Sequence, residues 1–243
     1  DVVVVLGGDG TLNEAANGIA GTDTALAALP GGSTNVFART IGLPNDPIEA
    51  TGALVAGLAA GTIEPVGLGS VNGRYFLFHV GLGFDAAVVE QVERRAQLKR
   101  WAGHPLFVYS AFTTWFRHYD KNRPRFAIEG VDAYFSIVLN TNPYTFLGNR
   151  PLELVPEATL ERGLAAVTFT TLGFVPLLAA AGSALAGRDI RRLRHLDVRT
   201  DVDRLTVDGH GPFPYQVDGD FLGEVEHLVF RHCPDALRLV FPG

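Results

Sequence analysis

Two glycine-rich segments hold the residues whose types and spacing best suit phosphate chemistry. Residues 7–11 have the sequence Gly-Gly-Asp-Gly-Thr, residues 31–35 have the sequence Gly-Gly-Ser-Thr-Asn, and each segment follows an apolar run. Glycine lets a backbone approach a phosphate group because no Cβ stands in the way. A helix that begins after such a turn offers free N–H groups and a partial positive charge. The two segments therefore predict a phosphate-binding site.

Asp9 and Thr11 add functional groups to the first segment. The Asp9 carboxylate can accept a proton or hold a magnesium ion beside bound phosphates. Thr11 can touch a phosphate or cap the following helix, with Glu14 three residues on as in a capping box. A tight strand-to-helix turn without a ligand would use the same glycines. The acid inside the turn and the presence of a second glycine turn favour the ligand-binding interpretation.

Other functional classes find little support in the sequence. The Gly-x-x-x-x-Gly-Lys-Ser/Thr pattern of P-loop proteins and the protein kinase motifs are absent. The single cysteine, Cys233, excludes an internal disulfide, and no Cys/His spacing is typical of a zinc site. A formal net charge of -6 argues against a surface built to bind nucleic acid, so we expect no nucleic-acid partner.

The elements that must position the glycine segments alternate between strand and helix. Residues 2–6 and 25–29 are apolar and predict strands, and the first is typical of a parallel strand buried on both faces. Helices are predicted over residues 11–17, 36–41 and 48–60. This order predicts an α/β domain with a parallel sheet. Both glycine turns would then lie at carboxyl ends of strands, where open α/β sheets bind ligands.

After about residue 65 the pattern changes to short strands, which predicts a second domain built on antiparallel strands. These strands are predicted over residues 75–80, 125–128, 134–139, 165–170, 196–200, 204–207, 215–217, 228–230 and 237–241. Helices are predicted over residues 85–101, 105–119 and 175–186. The chain begins inside an apolar run and its 243 residues contain no methionine, so we expect a truncated N-terminus.

Five motifs together resemble the catalytic region of bacterial diacylglycerol kinases and sphingosine kinases. In chain order they are Gly-Gly-Asp-Gly-Thr-Leu-Asn-Glu-Ala-Ala-Asn-Gly (residues 7–18), Leu-Pro-Gly-Gly-Ser-Thr-Asn-Val-Phe-Ala-Arg (29–39), Val-Gly-Leu-Gly-Phe-Asp-Ala (80–86), Val-Pro-Glu-Ala (155–158) and Val-Asp-Gly-Asp (217–220). The motifs span nearly the whole chain in the right order. Gly-Gly-Asp-Gly alone is shared with NAD kinases and phosphofructokinases, whereas the joint match is specific.

This resemblance implies an α/β nucleotide-binding domain with a parallel sheet, of the phosphofructokinase and NAD kinase type. An antiparallel β-sandwich domain would follow it, with the active site in the cleft between the two. The expected boundaries are residues 1–65 and 66–235, with residues 236–243 returning to the first domain. The family's N-terminal Asn-Pro-x-x-Gly motif would precede Asp1, as a truncated N-terminus requires.

The resemblance also implies ATP as the phosphate donor and magnesium as its companion ion. The expected ATP contacts are Gly7, Gly8, Asp9, Gly10, Thr11, Leu12, Asn13, Glu14, Gly32, Ser33 and Asn35. The family's general base is a glutamate in an Asp-Gly-Glu motif, and that position is Asp220 here, one methylene shorter. We expect Asp220 to accept the proton with Asp9 nearby. Without the resemblance, residues 217–220 predict only a hairpin turn.

Three further positions depart from the family pattern. Val36 and Gly67 stand where many relatives have aspartate, and Arg162 replaces an acid of a loop that binds a structural magnesium. Arg162 cannot ligate a cation, although its own charge could replace one. We therefore expect no accessory metal site, whereas the magnesium that accompanies ATP would lie near Asp9.

Several residues suit a lipid substrate at a membrane surface. Asp85 can cap a helix, and the matching position in sphingosine kinases faces the lipid headgroup, so we expect both roles. Basic runs near aromatic residues suit an anionic bilayer, although solvated helix ends explain each run equally well. The runs are Arg94, Arg95, Lys99 and Arg100, then Arg117, Lys121, Arg123 and Arg125, then Arg188, Arg191, Arg192 and Arg194. We expect a cytoplasmic protein, peripheral at the inner membrane face, with a homodimer left open.

The sequence thus predicts an ATP-dependent lipid kinase that transfers the γ-phosphate to a lipid hydroxyl, of diacylglycerol or a sphingoid-like lipid. Two alternatives stay open. The departures at Val36, Gly67 and Arg162 favour a nucleotide- or lipid-binding homologue that has lost catalysis. A NAD kinase-like enzyme would need a later Thr-Pro-x-Gly-Ser-type loop, which the sequence lacks.

Overall fold

The structure is a computed structural model that describes residues 1–93 and 123–243, apart from the side chains of Asp85 and residues 91–93. The predicted helix over residues 105–119 and the end of the one predicted over 85–101 lie outside the described residues. So do six members of the predicted basic runs, namely Arg94, Arg95, Lys99, Arg100, Arg117 and Lys121.

The described elements form one large mixed sheet with helices packed on it. In chain order they are β1 (Val2–Gly7), α1 (Asp9–Ile19), β2 (Ala25–Pro30), α2 (Val36–Thr40), α3 (Pro47–Ala60), β3 (Ile63–Val71), β4 (Arg74–Phe76), β5 (His79–Gly83), α4 (Phe84–Glu93), β6 (Phe126–Ile128), β7 (Val131–Ala133), β8 (Phe135–Leu139), β9 (Thr145–Leu147), β10 (Arg150–Leu152), β11 (Leu164–Phe169), α5 (Phe174–Leu185), a 3-10 helix (Ile190–Arg192), β12 (Leu196–Val202), β13 (Arg204–Val217) and β14 (Asp220–Val240). Along the main path of the sheet the strand order is β1-β2-β14-β13-β5-β8-β11-β12. β9 and β10 form a separate hairpin.

Among the described strands, parallel pairing occurs only at the β1 end of the sheet. β1 pairs with β2, and β2 pairs on its other side with the end of β14, where Leu26 lies opposite Leu239. Leu12 of α1 and Phe37 of α2 are fully buried in the core of this part. The described strands beyond it pair antiparallel. The prediction of an α/β part followed by an antiparallel part is confirmed.

The prediction that β1 is buried on both faces is wrong. β1 is an edge of the described sheet, and Val4 and Leu6 are 56% and 63% exposed. An unbroken apolar run indicates a strand, but it does not tell which neighbours cover that strand. The pairing with β2 therefore was predictable and the exposure of β1 was not.

Two long strands replace four short predicted ones. β13 runs through the gap between residues 204–207 and 215–217, and β14 runs from Asp220 through the predicted strands at 228–230 and 237–241. Register shifts inside both strands interrupt the alternation of apolar side chains without ending the strand. As a result, a single strand leads from Asp220 to the parallel sheet.

One predicted strand, over residues 75–80, is split into β4 and β5 by a buried carboxylate. The backbone N–H groups of Leu77, Phe78 and His79 turn towards Asp218 and donate to its carboxylate at 2.7, 3.0 and 3.1 Å. These groups cannot take part in a strand ladder at the same time. The predicted strand therefore breaks where Asp218 captures its donors.

The same carboxylate also holds α1. The Asn13 side chain donates to Asp218 at 2.8 Å, and both residues are 2% exposed. Burial raises the pKa of Asp218 to about 7, while the hydrogen bonds from Leu77, Phe78, His79 and Asn13 act to lower that pKa. Asp218 thus joins α1, the β4–β5 break and the turn between β13 and β14.

Helix α5 packs on the antiparallel part of the sheet. Ala180 and Ala184 of α5 are buried in a core that includes Phe135 of β8 and Phe169 of β11. The two phenylalanine rings stack with their centroids 3.8 Å apart. Of the helices in the described ranges, none is both long enough and apolar enough to cross a bilayer.

Phe241 packs against Gly57 of α3, and from this contact we predict the effect of two substitutions on stability. A Cβ on Gly57 would overlap the carbonyl oxygen of Phe241, whereas a Cβ on Gly52 of the same helix would meet nothing within 4 Å. We expect Gly57→Ala to lower the free energy of unfolding by about 1–3 kcal/mol through overpacking. Gly52→Ala should raise it by about 1 kcal/mol, since alanine favours a helix more than glycine. Denaturant unfolding measures both, and equal effects of the two variants would contradict the close packing of Phe241 on α3.

The buried Asp218 carboxyl predicts a pH dependence of stability. Its pKa is raised above the ordinary 3.8, so the folded state holds a proton that the unfolded state releases between about pH 4 and pH 7. The contribution of Asp218 to stability is therefore complete below about pH 4 and declines as the pH rises through 7. In Asp218→Asn an amide NH2 would face backbone N–H donors, which costs about 1–3 kcal/mol for each donor left unsatisfied.

Unfolding free energies of the original protein and Asp218→Asn, measured from pH 4 to pH 9, test this account. We expect the variant to be the less stable protein and the gap to narrow as the pH rises towards 7. A gap that widens over that interval would show that Asp218 is held as a carboxylate with a depressed pKa.

Candidate active site at the two glycine turns

The two glycine turns touch backbone to backbone. The N–H of Gly31 donates to the carbonyl of Gly7 at 2.9 Å, where β1 and β2 end. A Cβ on Gly32 would lie 2.7 Å from the Cα of Gly8, a distance that real Cβ atoms do not adopt. Glycine is therefore required for the two turns to sit side by side, and together they present a continuous backbone surface at the carboxyl ends of two parallel strands.

Helix α1 begins directly after the first turn. Gly8 is its N-cap and supplies no side-chain cap, so the helix begins two residues before the predicted start. The prediction that Thr11 caps α1 is wrong, because Thr11 lies within the helix, with its side chain next to Gly7. A helix start without a side-chain cap leaves its first N–H groups for a ligand, and an anion is the ligand that its dipole favours.

Asp9 connects the two turns. Its carboxylate accepts from the backbone N–H of Val36 and of Phe37, both at 3.0 Å, at the start of α2. The negative charge therefore faces the positive end of α2. This position gives Asp9 an organising role between the turns. The contact at position 36 is made by the backbone, so it does not depend on the Val36 side chain.

Asn35 shapes the second turn from inside. It adopts a left-handed backbone conformation with φ of 53°, and its side-chain oxygen accepts from the N–H of Gly32 at 2.7 Å. Its side-chain nitrogen donates to the Gly32 carbonyl at 3.1 Å and to Asn45 at 2.8 Å. Asn35 is 4% exposed, whereas Ser33 is exposed on the turn. Of these two predicted contacts, Ser33 is the one open to a ligand.

Two of the predicted contacts on α1 face the interior. Leu12 is fully buried in the core, and Asn13 donates to Asp218 and to the carbonyl of Tyr75 at 3.0 Å. Glu14 lies at the surface and forms an ion pair with Arg74. The structure therefore brings residues 7–11 to the shared surface of the turns, and it turns Leu12 and Asn13 away from that surface.

Arg74 has a place at this site that the sequence patterns did not indicate. Its guanidinium donates to Asn13 at 2.7 Å and to Glu14, so it lies along α1. Arg74 lies 60 residues from Glu14 along the chain, so no local sequence pattern predicts this contact. Arg74 lies beside α1 because Asn13 and Asn17 of that helix hydrogen-bond to the backbone of Tyr75 in β4.

Asp220 lies against the start of α1. A Cβ on Gly10 would overlap the Asp220 carboxylate, so Gly10 is the residue that admits it. Asp220 is exposed and directly follows the two-residue turn Asp218-Gly219, whose φ angles are 48° and 87°. These positive angles are typical of the tight turns that close β-hairpins. The hairpin interpretation of residues 217–220 holds, and the hairpin carries Asp220 to the first glycine turn.

Gly67 and Arg162 each replace an acid of the family pattern, and neither side chain offers an oxygen ligand to a cation. A Cβ on Gly67 would overlap the imidazole of His232 and lie 2.9 Å from the carbonyl of Leu160. Arg162 lies 3.6 Å from Asp201 and brings a positive charge to the same loop. No metal-binding group of three or more His, Cys, Asp or Glu side chains occurs in the two described ranges.

Asp85 occupies the first turn of α4, because that helix begins at Phe84. Its side chain lies outside what the structure describes. Phe84 packs with Phe135 at a centroid distance of 5.8 Å, which fixes the start of α4 on the antiparallel sheet.

Comparison with known proteins assigns the chain to a kinase family. The chain matches the family described as Diacylglycerol kinase catalytic domain over residues 1–94. It is 30% identical over 247 residues to the protein named Probable lipid kinase YegS-like of Pseudomonas aeruginosa (strain UCBPP-PA14), which covers 99% of this chain and 76% of that protein. It is 41% identical over 86 residues to the Diacylglycerol kinase of Bacillus subtilis (strain 168), which covers 34% of this chain and only 27% of that protein.

Solved structures show the same fold. A crystal structure of a diacylglycerol kinase from Bacillus anthracis str. Sterne superposes with a TM-score of 0.72 at 22% sequence identity, over 99% of this chain and 78% of that chain. At this identity the likeness concerns the fold alone. The sequence match to the Pseudomonas aeruginosa protein, in contrast, extends over almost the whole chain. The chain therefore belongs to the diacylglycerol kinase catalytic-domain family.

Proposed function

We propose that this protein transfers the γ-phosphate of ATP to the hydroxyl of a lipid, with Asp220 as the general base. Membership of the family makes it a lipid kinase, a phosphotransferase with an alcohol as acceptor. ATP as donor and diacylglycerol or a sphingoid-like lipid as acceptor are the finer parts of the proposal. The observation that carries it is the Asp220 carboxylate against Gly10, at the start of α1.

The glycine turns supply the phosphate site of this proposal. Gly32 has no room for a Cβ beside Gly8, so the two turns meet backbone to backbone. The N-terminal N–H groups of α1 provide donors, and the Ser33 hydroxyl is exposed beside them. Donors that are already in place stabilise the charge on a transferring phosphoryl group without having to reorganise.

Asp220 is suited to take the proton of the acceptor. Its carboxylate is exposed and therefore open to a substrate hydroxyl, in contrast to the buried Asp218 two residues before it. In the proposed step the lipid oxygen attacks the γ-phosphorus, its proton passes to Asp220, and the bond from phosphorus to the β-phosphate oxygen breaks to leave ADP. Asp220 then releases the proton to solvent.

Asp9 has a supporting part in this mechanism. Because its oxygens accept from the N–H groups of Val36 and Phe37, Asp9 fixes the distance between the two turns. Magnesium bound to ATP would neutralise phosphate charge and would lie near Asp9. Asp9 is proposed as the organiser of this region and Asp220 as the base.

The acceptor would reach Asp220 from a membrane. Asp85 at the start of α4 is the proposed contact for the lipid headgroup, by the likeness of its motif to sphingosine kinases. A lipid acceptor and a water-soluble donor require a protein that works at a bilayer surface. We propose peripheral attachment at the cytoplasmic side of the inner membrane, the side on which ATP is available.

The base assignment predicts the effect of three substitutions. Asp220→Asn removes the proton acceptor and keeps the size of the side chain, so we expect the turnover number to fall by about 10²–10⁴-fold with the affinity for ATP unchanged. Asp220→Glu keeps a carboxylate and should retain measurable activity. Glu226→Gln, on an exposed acid of the same strand, is the matched control and should leave the turnover number unchanged.

Transfer of labelled phosphate from ATP to a panel of lipids, together with calorimetric titration of ATP, measures these effects. If the original protein binds ATP tightly and phosphorylates no lipid, the nucleotide-binding homologue without catalysis is the correct account. If Asp220→Asn retains full activity, another group accepts the proton.

The close approach of the turns predicts which glycines nucleotide binding needs. Gly32→Ala would push the second turn away from Gly8, so we expect the affinity for ATP-magnesium to fall by at least about tenfold, the loss of one charge-assisted hydrogen bond. Gly18→Ala, near the other end of α1, adds a methyl group that meets nothing within 4 Å and serves as control. Equal ATP affinities for Gly32→Ala and Gly18→Ala would place the nucleotide elsewhere.

A further inference from the structure

Helix α5 presents an apolar surface to solvent. Val175, Leu178 and Leu185 are 74%, 56% and 45% exposed, and we call these three residues the α5 face. The helix has no charged residue in its 12 positions. Surface helices ordinarily carry charged or polar residues on their outer side, and a contiguous exposed apolar patch marks a docking site.

The α5 face is separate from the core contacts of the helix. The opposite side of α5 is buried through Ala180 and Ala184, which pack on the antiparallel sheet. The α5 face therefore lies on the side of the helix that is turned away from this core.

Positive charge follows the helix immediately. Residues 186–195 contain four arginines and one aspartate, in a chain whose formal net charge is -6. Arg191 is engaged with Asp189 at 2.8 Å and Glu157 at 3.0 Å. The other three, Arg188, Arg192 and Arg194, are exposed, and we call them the arginine cluster.

The chain folds back so that this charge stays at the end of α5. The N–H of Arg188 donates to the carbonyl of Ser183 at 2.8 Å, inside the last turn of the helix. The 3-10 helix that follows packs against α5, with Ile190 buried in the same core. Apolar face and arginine cluster are thus neighbours in one ordered unit.

We propose that the α5 face and the arginine cluster form the surface by which this protein docks on an anionic lipid bilayer. The proposal rests on the function proposed above and names the surface through which that function meets its substrate. Apolar side chains of a surface helix enter the boundary between headgroups and acyl chains. Basic residues beside such a helix are attracted to anionic headgroups. A lipid surface is the partner that offers both properties at once.

The docking surface and the candidate active site belong to one connected framework. α5 contacts β10, whose hairpin partner β9 carries Phe146. The guanidinium of Arg39, in α2, lies 3.7 Å from the centre of the Phe146 ring and donates to the carbonyl of Gly148 at 3.0 Å. The hairpin therefore links α5 to the helix that follows the second glycine turn, and docking through α5 fixes the orientation of the site relative to the bilayer.

A second helix provides a matched control. α3 also exposes apolar side chains, with Ile48, Val55 and Leu58 at 82%, 60% and 38%. It carries no basic residue. A charge placed on α3 should therefore leave bilayer binding unchanged if the arginine cluster and the α5 face act together as proposed.

Co-sedimentation of the full chain with phosphatidylcholine vesicles, with and without phosphatidylglycerol, tests the proposal. The variants are the double change Val175→Glu with Leu178→Glu, the triple change Arg188→Ala with Arg192→Ala and Arg194→Ala, and the control Val55→Glu. Thermal unfolding of each variant verifies that it is folded. If the double variant fails to fold, the single change Val175→Glu takes its place.

The original protein and Val55→Glu should bind phosphatidylglycerol vesicles equally and strongly. The double variant should lose at least about tenfold in the partition coefficient, since each large apolar side chain removed from water contributes that much. The triple variant should lose up to about a hundredfold on phosphatidylglycerol and nothing on phosphatidylcholine alone, about fivefold for each arginine. Added salt should weaken the original protein and leave the triple variant unaffected.

Three results would overturn the proposal. Equal binding by the double variant and the original protein would remove the α5 face from the interface. Equal losses in Val55→Glu and the double variant would indicate general surface effects. A change from dimer to monomer in the double variant, with vesicle binding preserved, would show that a second copy of this chain covers α5.

Kinase activity separates this proposal from the function it rests on. With a short-chain diacylglycerol dispersed in water, the double variant should match the original protein, because the active site is intact. On vesicle-embedded diacylglycerol it should fall in proportion to its lost binding. Should the original protein phosphorylate no lipid in either form, the proposed function fails, while the vesicle measurement still decides the docking surface.

Discussion

One buried carboxylate holds the parts of the candidate site together. Asp218 accepts three backbone N–H groups from the β4–β5 break and one side-chain N–H from Asn13 of α1. A group of this kind is costly to bury and gains its stability only when every donor is in place. The hairpin tip, the broken strand and α1 must therefore adopt their positions together. Asp220, two residues on, reaches Gly10 because Asp218 is anchored.

Acidic residues at this site divide into two kinds. Asp218 and Asp9 serve the backbone, since each accepts N–H groups from a neighbouring segment. Asp220 remains exposed at the place where α1 begins. Rigid surroundings that leave one group open to substrate are what phosphoryl transfer requires, because positioning and charge stabilisation supply most of the rate enhancement. The same framework continues through Arg39 and the β9–β10 hairpin to α5, so chemistry and membrane contact share one support.

Local patterns in the sequence predicted much of the fold. Apolar runs predicted β1 and β2, and the Asp-Gly pair predicted the hairpin that the structure shows. What failed depends on partners distant along the chain. The split of β4 from β5 follows from Asp218, which lies 139 to 141 residues further along. The spacing of residues within one segment does not predict such contacts.

The site residues show the same contrast between local patterns and contacts that are distant along the chain. Motif resemblance assigned Leu12 and Asn13 to the nucleotide because they stand in the right stretch, yet a helix turns successive side chains to different sides, and these two face the interior. Arg74 was not predicted because no local spacing connects it to α1.

The central claim is that the nucleotide phosphates lie on the paired glycine turns with Asp220 beside the γ-phosphate. A crystal structure with a non-hydrolysable ATP analogue and magnesium tests this claim most directly. We predict electron density for the phosphates against residues 7–11 and 31–35, with the Asp220 carboxylate facing the γ-phosphate. Phosphates bound away from these turns, or an Asp220 carboxylate that points away from the γ-phosphate, would contradict the account.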